Sequence, residues 1–299
     1  MELTLPSSSL SPASLAPPSS LAPAAHASQL RFGCRLLSLF SLRTSSPFSV
    51  SMLFSSLSSL RRFYQRRRLE EVSVLEAATG VSFLMCKVHE QPLPANEVIL
   101  IYQKILYDLD AGDKPSSSSR FDRKPFQPFL QSSPHWKRWQ QSIYRTEQQL
   151  LAALGFSFYS LTAASPFPLL PLYLSSLSSL PAYTNLETAP LLSPGIHLLL
   201  ALSRTHAVLA YPPHVLALAA LATLLPEAGH APLPRDWLLA RLPAQPADPG
   251  RPHRADLQAL ADAAEALRAE RVAEAGEKGG GVLEAVKEKE EIWGWNQHV

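Results

Sequence analysis

The sequence predicts an all-α fold made of two successive five-helix units, and three observations carry this prediction. The chain has 299 residues, of which 46% are hydrophobic, enough to bury one large or two modest cores. Its 27 prolines against 12 glycines favour helices joined by stiff connections over a sheet protein rich in glycine turns. Apolar residues also recur at helical spacing in segments spread over both halves of the chain.

The first three helices are predicted from this apolar spacing. The first begins near Leu30 and includes Phe40, and the second runs from Met52 to Leu60. The third is expected over Val72 to Val88, with Glu70 and Glu71 at its start because acidic side chains suit a helix N-terminus. It is apolar on most of its circumference, which predicts a position at the centre of a bundle.

The fourth helix follows a pair of prolines and precedes a long loop. Asn96 is a candidate N-cap, and apolar residues continue on one face as far as Leu109. Residues 111 to 135 combine proline, serine and scattered basic residues, which predicts a loop. The fifth helix begins at Trp136 or Ser142 and ends before Gly155, which occupies the position of a left-handed C-cap.

The second half of the chain likewise contains apolar segments of helical spacing, separated mostly by prolines. Helices are predicted over residues 167 to 180, 195 to 209, 213 to 225, 234 to 241 and 255 to 274. The nearly uncharged stretch 207 to 225 is as long as a membrane span, but two prolines interrupt it, and we expect a buried core helix beginning near Pro213. The units are predicted over 30 to 160 and 161 to 274, followed by a charged extension over 275 to 299.

Residues 1 to 29 are mostly serine, proline, alanine and leucine, with a single acidic residue, Glu2. Organelle transit peptides share this composition with disordered tails, and we expect a disordered tail.

Charge and cysteine content restrict the classes of function. The formal net charge of +2 indicates no whole-surface attraction to nucleic acid or membranes. Cys34 and Cys86 form no C-x-x-C pair, so free thiols in a reducing intracellular compartment are expected. The nine histidines show no metal-ligand spacing, and no nucleophile motif is present. The sequence therefore predicts no catalytic residue, metal or cofactor.

Several motifs of the first unit resemble the third-helix and fifth-helix patterns of transcription-type cyclins, the K, L and T types. They are Arg62-Phe63-Tyr64, Ala77-Ala78, the segment Leu84 to Pro92, which is similar to an ending of the form K-[VI]-E-E-x-P, and Glu147 to Phe156, which is similar to E-x-x-[IVL]-L-x-x-L-x-F. His89 departs from the pattern, because the family usually has glutamate there.

The resemblance implies two tandem cyclin boxes and a non-enzymatic subunit that binds and activates a cyclin-dependent protein kinase as a heterodimer. It further implies a nuclear protein acting in RNA polymerase II transcription or RNA processing. No small-molecule ligand, membrane or direct nucleic-acid contact is expected. Lys87 and Glu147 would hydrogen-bond backbone groups around the kinase αC helix. The implied apolar contacts beside them are Val88, Leu151, Phe156 and Phe158.

Other interpretations of the same residues stay open at this point. A lysine at a helix end is often a solvated surface residue, and Leu151 and Phe156 could belong to an ordinary core. The arginine-rich stretch 61 to 68 fits either a solvated helix end or a contact with nucleic acid or an import receptor. The whole chain could also be a scaffold like general transcription factor B, or a degenerate cyclin that binds no kinase.

Overall fold

The structure is a computed structural model that describes residues 23–113, 126–156, 165–241, 244–245, 248–252 and 254–276. The fold is all-α, as the sequence predicts, with one short antiparallel hairpin near its end. The helices are α1 (Pro23–Arg43), α2 (Val50–Arg66), α3 (Val74–Val88), α4 (Ala95–Asp113), α5 (Pro134–Leu154), α6 (Leu169–Ser178), α7 (Thr188–Ser203), α8 (Ala207–Ala210), α9 (Pro213–Glu227), α10 (Arg235–Leu239) and α11 (Arg254–Gly276). A 3-10 turn spans Pro181–Tyr183, and the hairpin pairs β1 (Ala244–Gln245) with β2 (Asp248–Pro252).

The buried apolar side chains form two clusters. The first contains residues between Leu30 and Leu154, and α3 is buried along nearly its whole length within it. The second contains residues between Leu170 and Leu267, with α9 buried through most of its turns. Phe54 of α2 also lies in the second cluster. Because the clusters share α2 in this way, the division at residue 160 into two repeated units stays a prediction.

Helix α2 shows how a serine-rich segment enters a core. Met52, Leu57 and Leu60 are fully buried, and the serines between them are buried as well. The Ser56 hydroxyl donates to the Met52 carbonyl at 2.8 Å, and the Ser59 hydroxyl donates to the Ser55 carbonyl at 2.7 Å. These bonds to the preceding turn satisfy the Ser56 and Ser59 hydroxyls inside the helix, so no water is needed to solvate those two groups.

Several boundaries differ from those predicted. Helix α1 begins at Pro23, so residues 23 to 29 are helical and not part of a tail, while residues 1 to 22 lie outside the described part. Helix α4 extends to Asp113 and α5 begins at Pro134, which shortens the predicted loop at both ends. Asn96 lies inside α4 and is not its cap; its side-chain oxygen accepts bonds from Trp136 and Gln140, both at 3.2 Å.

In the described part of the second half, the structure has one helix more than predicted. The segment predicted over 195 to 209 is divided into α7 and the one-turn helix α8, and α7 begins seven residues earlier, at Thr188. Pro194 lies inside α7, where it removes one backbone hydrogen bond without ending the helix. The helix is held instead by the apolar residues after it, which are buried in the second cluster. Helix α9 begins at Pro213, as predicted, with that proline in the first turn.

Candidate partner-binding site at Lys87 and Glu147

Helix α3 is fixed at its start by a capping box. The Ser73 hydroxyl accepts a bond from the Glu76 backbone N–H at 3.2 Å, and the Glu76 carboxylate accepts one from the Ser73 N–H at 3.0 Å. The helix therefore begins after Ser73 and not at Glu70 and Glu71 as predicted. The other Glu76 oxygen accepts a bond from the Ser142 hydroxyl of α5 at 2.8 Å. One carboxylate thus both caps α3 and ties it to α5.

The end of α3 is a Schellman motif formed without glycine. Glu90 has a φ of 56°, in the left-handed region. Its N–H donates to the Lys87 carbonyl at 3.2 Å, and the Gln91 N–H donates to the Cys86 carbonyl at 2.8 Å. The last turn of α3 is therefore held by its own backbone, and this fixes the direction in which the Lys87 side chain leaves the helix.

Helix α5 presents one face to the core and another to solvent. Ser133 caps its start and Pro134 follows in the first turn, while Gly155 ends it with a φ of 65°, the left-handed conformation predicted from sequence. Thr146 and Leu150 are buried against α3. Glu147 lies beside Thr146 in the sequence, at the border of the buried face.

The two helices approach each other closely at Gly80. A Cβ atom at this position would lie 2.7 Å from Thr146 Cγ2 and 2.9 Å from Thr146 Cβ. Only glycine allows the two backbones to come this near. Together with the Glu76–Ser142 bond, this contact fixes the register of α3 against α5. The register in turn sets the relative positions of the charged residues on the outer faces of the two helices.

Lys87 and Glu147 meet on this surface. The Lys87 Nζ donates to Glu147 Oε1 at 2.7 Å, and the two side chains are 44% and 14% exposed. The same ammonium lies 4.0 Å from the centre of the Phe83 ring, in cation–π geometry. An ion pair this exposed contributes at most about 1 kcal/mol to stability. The pair therefore matters little for stability, but the Lys87 side chain is open to solvent and accessible to a partner.

Three of the four apolar residues predicted beside the pair lie in the described part of the chain. Val88 and Leu151 are half-buried and pack against the first cluster, whereas Phe156 is 69% exposed, so the core interpretation of Phe156 is wrong. Phe156 also has a φ of 57°, in the left-handed region, directly after the C-cap Gly155. Phe158 lies outside the described residues. The roles of these residues in binding a kinase stay predictions.

Two aromatic residues of this surface were not predicted. The Phe83 and Tyr144 rings pack edge to face with their centres 5.8 Å apart, and Tyr144 is 45% exposed. Their spacing was a usable signal, because Phe83 precedes Lys87 by four residues and Tyr144 precedes Glu147 by three. Each ring therefore lies one helical turn before its charge, with Phe83 buried against the Lys87 ammonium and Tyr144 exposed at the surface.

His89, where the resemblance is weakest, is half-buried at the C-cap of α3. Its Nε2 atom is buried and has no hydrogen-bond partner among the described residues. Burial lowers the pKa of the imidazole below its ordinary value. A neutral ring beside Val88 therefore replaces the carboxylate that transcription-type cyclins usually carry at this position.

The described residues offer little for other chemistry. Within them, no three His, Cys, Asp or Glu side chains are grouped as metal ligands would be. Cys34 and Cys86 are buried free thiols whose pKa values are raised by burial. Across the same residues, none of the helices combines the length and the hydropathy that a bilayer span requires.

Comparison with known proteins adds no family assignment. No protein-family model matches the chain, and no curated protein matches it either. The likeness to cyclins therefore depends on sequence motifs alone, and these are strongest in the first unit.

Proposed function

We propose that this chain is a cyclin-like regulatory subunit that binds and activates a cyclin-dependent protein kinase. One observation carries the proposal: Lys87 and Glu147, which are distant in sequence, form a 2.7 Å ion pair on the surface shared by α3 and α5. The motifs that contain these two residues are those in which the resemblance to cyclins is strongest. Metal, cofactor and nucleophile chemistry have no comparable support, so the proposed role is not enzymatic.

The pair retains hydrogen-bonding capacity for a partner. A lysine ammonium has three donors and a carboxylate has about four acceptor sites, and their mutual bond uses one of each. The remaining groups can bond to unpaired carbonyls and amides at the end of a partner helix, with the added strength of a charged donor or acceptor. Such contacts fix the orientation of the partner.

Affinity would come from the apolar side chains around the pair. The exposed faces of Tyr144 and Phe156 are large aromatic surfaces, the kind that dominates binding energy at interfaces. Val88 and Leu151, which are half-buried, would extend this surface between the rings. Exposed aromatic anchors on the helices that carry the charged pair would then act as binding hot spots.

Activation would then follow from a shift of the kinase from its inactive to its active conformation. A subunit that binds the active arrangement of the αC helix more tightly favours the state in which the αC glutamate pairs with the ATP-binding lysine. No residue of this chain has to contact ATP or the phosphorylated hydroxyl. By resemblance, the kinase partner would act in the nucleus on RNA polymerase II transcription or RNA processing.

The test is capture of kinase from cells by the tagged full-length chain. We expect the wild-type chain to recover a cyclin-dependent kinase, with activity on a polymerase tail peptide. Lys87→Ala with Glu147→Ala should reduce recovery by about 10-fold to 100-fold, since hydrogen bonds to charged groups contribute about 1.5–3 kcal/mol. The matched control is Arg43→Ala with Asp108→Ala, which removes another 2.7 Å surface ion pair, between α1 and α4.

A charge exchange separates binding from folding. Lys87→Glu with Glu147→Lys keeps an ion pair between α3 and α5 but presents a partner with donors and acceptors in the wrong places. We expect this variant to fold normally and to lose the kinase. If it recovers kinase as well as the wild type does, the pair is only structural and the site assignment fails. If the wild-type chain recovers polymerase or DNA and no kinase, the scaffold interpretation replaces the proposal.

A further inference from the structure

Five serines of the chain are directly followed by proline, the pair of residues that a proline-directed protein kinase requires. Proline also holds the residue before it in an extended conformation, and kinase substrates bind in such a conformation. Ser11 lies outside the described residues, and the four others are Ser46, Ser133, Ser165 and Ser193. The structure therefore decides which of these four a kinase can reach.

Three of the four serines are held by the fold. The Ser133 hydroxyl accepts a bond from the Trp136 N–H at 3.2 Å and caps α5. The Ser165 hydroxyl is buried, and so is the proline that follows it. Ser193 lies inside α7, whose helical backbone does not take the extended path of a kinase substrate. A kinase would have to unfold the local structure to use any of these three.

Ser46 differs from them in both exposure and backbone. It lies in the loop 44–49 between α1 and α2, outside any helix. Ser46 is exposed, and so are its two neighbours, Ser45 and Pro47. The hydroxyl that would accept a phosphate and the proline that would direct the kinase are therefore presented together at the surface.

The loop is anchored on both sides of these exposed residues. The Thr44 hydroxyl donates to the Ser46 carbonyl at 2.8 Å, and the Phe48 N–H donates to the Ser41 carbonyl at 3.3 Å. The Phe48 ring also packs edge to face on Phe40, with the ring centres 5.6 Å apart. None of these contacts involves the Ser46 side chain, so modification of its hydroxyl does not require α1 or α2 to unfold.

The loop lies at the other end of α4 from the Lys87 surface. Arg43, the last residue of α1, pairs at 2.7 Å with Asp108 in the C-terminal part of α4. Glu97, in the first turn of α4, contributes to the raised pKa of Cys86, which adjoins Lys87 in the sequence. Glu97 and Asp108 are separated by about 16 Å along the helix. The accessibility of Ser46 therefore does not depend on the proposed kinase-binding surface.

A phosphate at this position would have a nearby cation. It would add up to about two negative charges three residues after Arg43. The guanidinium of arginine binds phosphate oxygens in pairs, which makes phosphate a strong partner for it. The phosphate would therefore compete with Asp108 for Arg43, whose bond to Asp108 ties the end of α1 to α4.

We propose that Ser46 is a phosphorylation site for a proline-directed serine kinase. The Ser46 Oγ would form a bond to the γ-phosphorus of ATP, and the bond from that phosphorus to the bridging oxygen of ADP would break. The hydroxyl proton would pass to the catalytic aspartate of the kinase. The products are phosphoserine and ADP. This site goes beyond kinase activation by the chain and does not require it.

Treatment of the purified full-length chain with an active mitogen-activated protein kinase and MgATP tests the proposal. This kinase is proline-directed and needs no cyclin, so the result is separate from the function proposed above. The substrate carries Ser11→Ala, which leaves only the four described Ser-Pro pairs. Mass spectrometry of the digested chain measures the initial rate at each serine. We expect the rate at Ser46 to exceed the others by about tenfold or more, because the other three require local unfolding.

Peptides and two variants supply the controls. Synthetic peptides of residues 40–54, 127–141, 159–173 and 187–201 contain the four serines without the fold, and their rates should differ much less than those in the folded chain. Pro47→Ala should abolish phosphorylation of Ser46, because it removes the directing residue. Ser45→Ala, at the neighbouring exposed serine, should leave the rate at Ser46 unchanged. Circular dichroism verifies that each variant is folded.

The possible results are decisive in both directions. Selective phosphorylation of Ser46 in the folded chain that is lost in Pro47→Ala supports the site. A folded chain without phosphate on Ser46 overturns it, as do equal rates at all four serines or phosphate that is retained in Pro47→Ala. Peptide rates that differ as much as those in the folded chain would show that exposure does not select Ser46, and the structural argument would fail.

Discussion

The close contact between α3 and α5 gives a prediction that can be worked through from the structure. In Gly80→Ala the new methyl group would lie 2.7 Å from Thr146 Cγ2 and 3.2 Å from Leu150 Cδ1. Because Thr146 Cβ is also within 2.9 Å, rotation of the Thr146 side chain cannot relieve the overlap, and α3 must move. Overpacking of this kind costs about 1–3 kcal/mol.

The higher helix propensity of alanine offsets part of this cost in unfolding free energy. Alanine is favoured over glycine inside a helix by about 0.8–1.0 kcal/mol. The expected net loss for Gly80→Ala is therefore about 1 kcal/mol, with an upper value near 2 kcal/mol. At roughly 2–4 °C per kcal/mol for a chain of this size, the Tm should fall by about 2–8 °C. Urea unfolding followed by circular dichroism measures the free energy directly.

Two controls make the result interpretable. Gln148→Ala compared with Gln148→Gly, at an exposed position of α5, measures the helix-propensity term without overpacking. Thr146→Ala in the Gly80→Ala background removes the nearest methyl group and should recover part of the loss. A Gly80→Ala variant more stable than the wild type by the full propensity difference would show that α3 and α5 are not packed as described.

Three further predictions concern local features of the first cluster. Ser73→Ala and Glu76→Ala should each lower the unfolding free energy by about 1 kcal/mol, and a double-mutant cycle should show that their effects are not additive, because the two residues cap α3 reciprocally. Burial lowers the pKa of His89 in the folded state below its ordinary value of 6.5. The neutral ring therefore contributes to stability above pH 6.5, and this contribution is lost as the pH falls through the lower pKa of the folded state. His89→Gln should therefore reduce the loss of unfolding free energy, measured by urea titration, as the pH falls from 7 to 5. An unchanged dependence of the unfolding free energy on pH would contradict a buried neutral ring. Burial, with a smaller effect from Glu97, raises the pKa of the Cys86 thiol to about 12, so iodoacetamide at pH 8 should label it only after unfolding, as measured by mass spectrometry.

Local signals explain which parts of the fold could be predicted. Gly155 and Pro213 mark helix ends through their own backbone preferences, and both ends lie where the sequence places them. The start of α3 lies at Ser73 and Glu76, which form the S-x-x-E pattern of a capping box, and not at the acidic pair Glu70 and Glu71 as predicted. Acidic side chains only favour a helix start through the helix dipole, whereas the cap satisfies backbone N–H groups and so fixes where the helix begins.

Tertiary packing explains most of what could not be predicted. Pro194 stays within α7 because the apolar residues after it are buried in the second cluster, and local sequence alone does not reveal this burial. The buried serines of α2 similarly have a polar pattern that suggests a solvent-facing stripe. In the site, the resemblance implied that Lys87 and Glu147 face the same partner, but the Phe83–Tyr144 contact depends on the register between α3 and α5, which the sequence does not reveal.

Helix α2 has a consequence for how the molecule can be divided. Leu57, Leu60 and Phe63 belong to the first cluster, while Phe54 packs edge to face on Phe167 at 5.5 Å and belongs to the second. A fragment cut near residue 160 would expose Phe54 in one piece and remove its packing from the other. The two halves should therefore melt in one cooperative transition, and neither should serve as an independent folding unit for expression.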